Sequence, residues 1–196
     1  MKKFNISGVF KLTSVLSKIL EIIYWIGAAA NIIIIICSFF SKNWFNRTMT
    51  SYISENSADM SLYGCFYISI AGADNSVNMT AYIIYLICST VMSVIFALIY
   101  KYIYLILKTA EGKNHFSDGN TPFQKSIVRM LRRIGALLIS IPVTAFIFDI
   151  ISFFIGIDNA YSALSYEHVI IGLFIICIAQ YFSRGVALKE KTDGLI

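Results

Sequence analysis

The sequence predicts an all-α integral membrane protein with four transmembrane helices and with both termini in the cytoplasm. Hydrophobic residues make up 58% of the chain and charged residues only 14%, whereas about 25% of a soluble domain is charged. Four apolar runs reach or approach the ~20 residues that a helix needs to cross ~30 Å of hydrocarbon. Because lipid offers the backbone no hydrogen-bond partner, each run is expected to be helical. Residues 1–196 are predicted to form a single four-span domain.

The predicted spans cover about residues 20–40, 81–107, 134–157 and 166–186. A signal peptide is the alternative for the first span. It is disfavoured because the small residues 27–30 lie inside an apolar run that continues through isoleucines, which leaves no polar cleavage region. The fourth span is apolar at 169–182 and reaches spanning length only when it is extended at both ends.

Basic residues predict the orientation, because Lys and Arg in short loops stay on the cytoplasmic side. They concentrate before the first span, in the inner basic loop 108–133 and in the tail after the fourth span. In the predicted outer loop 41–80 the basic residues are Lys42 and Arg47. This distribution indicates a multi-pass protein of the plasma membrane.

Four cations precede the third span at helical spacing. Lys125, Arg129, Arg132 and Arg133 lie at i, i+4, i+7 and i+8, which is one face of a helix. Such a face attracts anionic lipid by about 1 kcal/mol per basic residue near the surface. One interpretation is a positive-inside anchor, which is favoured because such clusters are usual at inner borders. The other is a docking surface for a cytoplasmic partner.

The same helix is predicted to begin before the bilayer. Thr121 is placed to cap it, with Pro122 at its first position and Gln124 at its third, which is a capping-box pattern. From Pro122 to Ile157 the helix would be about 50 Å long, against ~30 Å of hydrocarbon. Its first three turns are therefore expected in the headgroups or the cytoplasm.

Two stretches of the C-terminal half, GNTPFQKSIVRMLRRIGALL and IAQYFSRGVALKEKTDGLI, resemble a known bacterial family. It is catalogued as domain of unknown function 2975, and its pattern is Gly-x-Pro-Phe before a basic helix start, then Phe-x-x-Gly and a short charged tail after the last span. The matching residues are Gly119, Pro122, Phe123, Arg129, Leu131, Arg132, Arg133, Ile134, Gly135, Phe182, Gly185, Leu188, Asp193 and Ile196. One extra residue separates the glycine from the proline, and the N-terminal half is similar in hydropathy alone. The resemblance implies a four-span protein of unassigned activity, with a small cytoplasmic helix-turn-helix regulator as its partner.

Asp149 is an acid inside the third predicted span, roughly 12 Å from its outer end. A carboxylate there costs a few kcal/mol unless it is paired, hydrated or protonated. Asn31, Ser89 and Thr90 fall at similar depth and are candidates to hydrogen-bond it. The alternatives are a proton or cation site and a helix-packing hydrogen bond in a water-accessible vestibule. The second is favoured because no basic residue lies at that level.

Other chemistry finds little support in the sequence. No catalytic or phosphate-binding motif is present, and the predicted topology places His115 and His168 on opposite sides of the membrane. The cysteines form no C-x-x-C pair. We therefore expect no enzyme activity, cofactor, metal, disulfide or direct nucleic-acid binding.

Two local features are also expected. Lys101 is expected to snorkel to the inner border or to pair with Glu21. The segment LYGCFYISI, residues 62–70, is expected to form a short hairpin or an interfacial patch.

The leading functional hypothesis is a non-enzymatic inner-membrane sensor or anchor that engages a cytoplasmic DNA-binding regulator through its basic inner loop and tail. The rival is a small transporter or immunity-type protein that acts on a cation, peptide or lipid through the Asp149 region. A third possibility is an accessory subunit of a larger complex. The oligomeric state stays open, because few small-xxx-small pairs mark a self-association face.

Overall fold

The computed structural model describes residues 6–40, 59–71, 77–112, 124–157, 160–163 and 166–193. Within these ranges four long helices and three short strands follow in the order α1, β1, β2, α2, α3, β3, α4. The helices are α1 Ile6–Phe40, α2 Met79–Ala110, α3 Lys125–Phe154 and α4 Tyr166–Asp193. The strands are β1 Asp59–Leu62, β2 Phe66–Ser69 and β3 Ala160–Ser162.

All four helices are long and apolar enough to cross a membrane, over Phe10–Phe40, Met79–Ala110, Lys125–Phe154 and Tyr166–Lys189. Even α4, with 28 residues, is about 42 Å long, which exceeds the ~30 Å of a hydrocarbon core. The prediction of four helices long and apolar enough to be membrane spans is confirmed, and three short strands accompany them. Four such helices are typical of a multi-pass membrane protein.

The helix ends extend beyond most of the predicted spans. α1 begins at Ile6, well before residue 20, and α4 begins at Tyr166 as predicted but continues to Asp193. α3 begins at Lys125, and the carbonyl of Gln124 accepts hydrogen bonds from the amides of Ile127 and Val128, at 3.1 and 3.3 Å. Gln124 thus stands at the cap rather than at the third helical position. The predicted cap at Thr121 and Pro122 lies outside the described residues.

α3 ends at a glycine-dependent turn. The amide of Ile157 donates to the carbonyl of Ser152 at 3.0 Å, and the amide of Gly156 donates to the carbonyl of Phe153 at 3.1 Å. These are the two bonds of a Schellman motif, which needs a residue in the left-handed conformation. Gly156 supplies it with φ of 80°. The helix therefore stops at Phe154, short of the predicted Ile157.

α1 buries its small and polar side chains and exposes its large apolar ones. Buried or half-buried positions recur every three or four residues: Ser14, Ser17, Glu21, Tyr24, Ala28, Asn31, Ile35 and Ser38. Among the exposed side chains, Leu12 is 70% and Ile26 is 63% accessible. A surface helix of a soluble protein shows the reverse, with its apolar stripe inward. The arrangement is favourable where the surroundings are themselves apolar, as lipid tails are.

The predicted hairpin of residues 62–70 forms between β1 and β2, and β3 adds to it to give a three-stranded antiparallel sheet in the order β1-β2-β3. Tyr63 and Gly64 both have positive φ, of 50° and 67°, and the amide of Cys65 donates to the carbonyl of Leu62 at 2.9 Å. This is a type I′ turn, whose twist suits a hairpin. The third strand was not predicted from the sequence.

Two compact units divide the chain. Unit 1 contains residues 1–24, 95–139 and 167–196, and unit 2 contains residues 25–94 and 140–166. All but two of the 16 lysine and arginine residues belong to unit 1, the exceptions being Lys42 and Arg47. The helices α1, α2 and α3 are each divided between the two units, whereas α4 lies in unit 1 except for Tyr166.

Candidate functional site

A cationic groove lies between α3 and α4 in unit 1. It has a volume of about 370 Å³ and is lined by Lys125, Val128, Arg129 and Arg132 from α3 and by Ser183, Val186 and Ala187 from α4. We call it the basic groove. One wall carries three of the four cations that the sequence singled out, and the other wall is built from small or aliphatic side chains.

The periodicity of α3 explains how the groove forms. Ile127, Met130 and Ile134 are buried, at 2, 7 and 4% exposure, while Arg129 and Arg132 are exposed. The cations of α3 thus lie on its exposed side, away from these buried apolar side chains. Burial of the apolar face fixes the rotation of α3, and that rotation turns the cations toward the groove.

Two glycines bring α3 and α4 together next to the groove. A Cβ atom on Gly135 would lie 2.7 Å from the carbonyl oxygen of Gly172, and a Cβ on Gly172 would lie 2.8 Å from the carbonyl oxygen of Gly135. Any side chain at either position would therefore press on the backbone of the facing helix. Close approach of two backbones through small residues is the usual way in which membrane helices gain packing energy. This contact packs α3 against α4, the two helices that line the groove.

The positive charges of Arg129 and Arg132 in the groove are not neutralised by nearby carboxylates of the described residues. Neither Arg129 nor Arg132 makes an ion pair with a carboxylate in this part of the chain. Arg132 donates from Nη2 to Oε1 of Gln180 at 3.4 Å, which is long for a hydrogen bond. The groove therefore presents positive charge and unused N–H donors to its surroundings.

Arg133 does not join the other three cations. Its Nη1 donates to the hydroxyl oxygen of Tyr102 at 3.1 Å, and its guanidinium carbon lies 5.6 Å from the centre of that ring. One residue along a helix corresponds to a rotation of about 100°, so Arg133 faces α2 while Arg132 faces α4. The four-residue cationic face predicted from the sequence is divided in this way.

A second polar cluster joins α1 and α2 in unit 1. Lys18 Nζ is 2.9 Å from Oε2 of Glu21 and 5.4 Å from the centre of the Tyr104 ring. Lys108 lies 5.8 Å from the same ring.

The predicted Lys101–Glu21 pair is wrong, because Glu21 pairs with Lys18 of its own helix and Lys101 is exposed. A spacing of three residues puts Lys18 within reach of Glu21.

An aromatic contact next to this cluster was also missed from the sequence. Tyr24 stacks on Phe96 and on Tyr100, with ring centres 5.2 and 5.5 Å apart. The signal that was available is the spacing of Phe96, Tyr100 and Tyr104 at i, i+4 and i+8, which places three rings on one face of α2.

Asp149, in unit 2, bonds to the third strand. Its Oδ2 accepts hydrogen bonds from the amide of Ser162 at 3.1 Å and from the hydroxyl of Ser162 at 2.8 Å. Both bonds tie α3 to β3. The partner of the carboxylate is thus a strand, whereas the favoured interpretation expected a hydrogen bond to another helix.

The three residues expected to bond Asp149 are paired differently. Asn31 donates from Nδ2 to Oγ of Ser89 at 2.9 Å, which links α1 to α2. Thr90 donates from Oγ1 to the carbonyl of Leu86 in its own helix at 2.8 Å. Sequence position gives the depth of a residue along a helix but not the direction in which neighbouring helices face each other. The expected pairing with Asp149 therefore fails although the depths are comparable.

The surroundings of Asp149 offer few ligand atoms. An open cavity of about 440 Å³ is lined by Asp149, Ile150, Phe153 and Phe154, and the two phenylalanines are largely exposed. Within the described ranges no three histidine, cysteine or acidic residues come together. The structure thus shows an acid that holds a strand, beside an apolar surface.

No protein-family model matches the chain, and no curated protein or solved structure matches it. The resemblance to the bacterial four-span family stays a prediction.

Proposed function

We propose that the protein is a non-enzymatic sensor or anchor of the bacterial plasma membrane. In this proposal the first part of α1, the end of α2, the start of α3 and the end of α4 face the cytoplasm, where the protein engages a small DNA-binding regulator through the basic inner loop and the tail. The observation that supports it best is the concentration of nearly all basic residues in these parts of the chain.

The distribution of charge supports the orientation. All but two of the 16 lysine and arginine residues lie before residue 25, between residues 95 and 139 or after residue 166, and the exceptions are Lys42 and Arg47. Membrane proteins keep Lys and Arg on the cytoplasmic side. This orientation places the start of α3 and the end of α4 in or next to the cytoplasm.

The length of α4 supports a partner surface. The candidate span of α4 ends at Lys189, and the helix continues to Asp193. Counting ~20 residues from Tyr166 leaves about two turns beyond the hydrocarbon. Arg184 is exposed at that border and Lys191 is exposed beyond it. A rigid cationic helix end in the cytoplasm suits an acidic protein surface, since electrostatic complementarity steers association.

The transporter alternative has less support. Asp149 was its central residue, and Oδ2 of this carboxylate already accepts two hydrogen bonds from Ser162. A carboxylate held in this way favours a structural role. Unchanged signalling and unchanged ion flux at every pH in Asp149→Asn would remove the alternative.

Affinity purification from mild detergent tests the proposal. A tagged protein is expected to recover one small DNA-binding protein, and Arg184→Glu and Lys191→Glu are each expected to lower that recovery severalfold. Lys11→Glu, the same charge change at an exposed position of α1, is the matched control and should leave recovery unchanged. Recovery of neighbouring membrane proteins without any regulator would contradict the proposal, and so would equal recovery by the tail variants and the control.

A further inference from the structure

The basic groove also has the chemistry of a lipid site. We propose that it binds the phosphate group of an anionic phospholipid, with the headgroup phosphate between Arg129 and Arg132 and the acyl chains along the apolar sides of α3 and α4.

The groove lies toward one end of each of its two helices. Lys125, Val128, Arg129 and Arg132 belong to the first turns of α3, and Ser183, Val186 and Ala187 belong to the second half of α4. Both helices are long and apolar enough to cross a membrane. Lipid headgroups are found next to the ends of such spans.

The charges of the groove suit a phosphodiester. Arginine presents a planar fork of N–H donors that matches phosphate oxygens in a bidentate geometry. Neither Arg129 nor Arg132 is ion-paired with a carboxylate of the described residues, so both are available to an outside anion. The hydroxyl of Ser183 adds a donor on the other wall.

The remaining lining is apolar. Val128 and Val186 are buried, at 7 and 6% exposure, and form the floor of the groove with Ala187. Small side chains on α4 leave the groove a volume of about 370 Å³, which accommodates a headgroup rather than a folded protein element. A cationic rim above an apolar floor fits a molecule that is anionic at one end and apolar at the other, and basic pockets between membrane helices bind lipid headgroups for this reason.

The apolar lining favours a lipid over an acidic protein segment. A peptide would bring polar backbone groups against Val128 and Val186, whereas an acyl chain would not. The inference uses the membrane crossing of α3 and α4 but not the existence of a regulator. Lipid retention is measured on the purified protein and regulator recovery on the tail variants, so that either proposal can fail without the other.

Native mass spectrometry of the purified full chain tests the inference. Phosphatidylglycerol and phosphatidylcholine with identical acyl chains are the probes. We expect the wild type to retain phosphatidylglycerol about tenfold or more over phosphatidylcholine, and the variant Arg129→Gln/Arg132→Gln to lose most of that preference. Arg184→Gln/Lys191→Gln removes the same charge from exposed positions outside the groove and should retain the preference. The far-ultraviolet circular dichroism of all proteins shows that the helices persist.

Three outcomes would overturn the inference. One is equal retention of the two lipids by the wild type, and another is an unchanged preference in Arg129→Gln/Arg132→Gln. The third is tighter binding of a soluble hexaglutamate peptide than of phosphatidylglycerol, which would assign the groove to an acidic protein.

Discussion

Asp149 and Ser162 are joined by two hydrogen bonds that end on the same carboxylate oxygen, at 3.1 Å from the amide and 2.8 Å from the hydroxyl. Ser162 is also the register partner of Phe66, whose side chain is completely buried. This acid of α3 therefore holds β3 in place beside the hairpin. Tyr67 and Tyr161, stacked at 4.9 Å, make a second contact between these strands.

Replacing Asp149 should loosen β3 without unfolding the helices. Asp149→Ala removes the acceptor of both hydrogen bonds, and a hydrogen bond to a charged group contributes about 1.5–3 kcal/mol. We expect the amides of residues 160–163 to exchange faster with deuterium, by about tenfold or more, and Asp149→Asn, which keeps an acceptor, to show a smaller change. Hydrogen exchange of the protein in lipid nanodiscs measures these exchange rates. Unchanged protection of β3 in Asp149→Ala would show that the carboxylate does not hold the strand.

The glycine contact between α3 and α4 predicts a contrast among three alanine substitutions. Gly135→Ala and Gly172→Ala each place a Cβ within 2.8 Å of a facing carbonyl oxygen, and overpacking of this kind typically costs about 1–3 kcal/mol. Gly27→Ala is the matched control, because its Cβ would meet nothing within 4 Å and alanine favours the helix by up to about 1 kcal/mol. The midpoint temperature of thermal unfolding in detergent should fall for Gly135→Ala and Gly172→Ala, and it should stay level or rise for Gly27→Ala. Equal midpoints for all three would contradict the close approach.

The hydrogen bond from Asn31 to Ser89 should couple α1 to α2. Hydrogen bonds between membrane helices average about 0.6 kcal/mol and reach about 1.7 kcal/mol, so a double-mutant cycle of Asn31→Ala and Ser89→Ala should give a coupling energy in that range. Thr90→Val paired with Asn31→Ala should give none, because Thr90 bonds the backbone of its own helix. A larger coupling to Thr90 than to Ser89 would reverse this assignment.

Much of the fold follows from hydropathy. Runs of apolar residues determine four helices, and the spacing of Ile127, Met130 and Ile134 determines which face of α3 is buried. The polar pairings do not follow in this way. Whether Asn31 meets Ser89 or Asp149 depends on how neighbouring helices are rotated, which the depth of a residue does not reveal. The strand β3 could not be predicted from the sequence either, because three residues between two helices become a strand only when a hairpin from a distant part of the chain lies beside them.

The sequence indicated only one of the two walls of the basic groove. Lys125, Arg129 and Arg132 stand out by charge and spacing, but the opposite wall consists of a serine, a valine and an alanine that no motif marks. The glycines that bring this wall close, Gly135 and Gly172, lie in different spans, and their contact requires the packing of α3 against α4. Arg133, which the spacing assigned to the same face, donates a hydrogen bond to Tyr102 instead.

Accessibility of single cysteines in intact cells tests the central claim, that four helices cross the bilayer with the end of α4 in the cytoplasm and the hairpin outside. In a variant without the native cysteines, Ser61→Cys lies on the exposed face of β1 in unit 2 and Lys191→Cys lies on the exposed end of α4 in unit 1. A membrane-impermeant maleimide should label Ser61→Cys in intact cells and label Lys191→Cys only after the membrane is opened. Labelling of Lys191→Cys in intact cells, or labelling of Ser61→Cys only after lysis, would contradict the account.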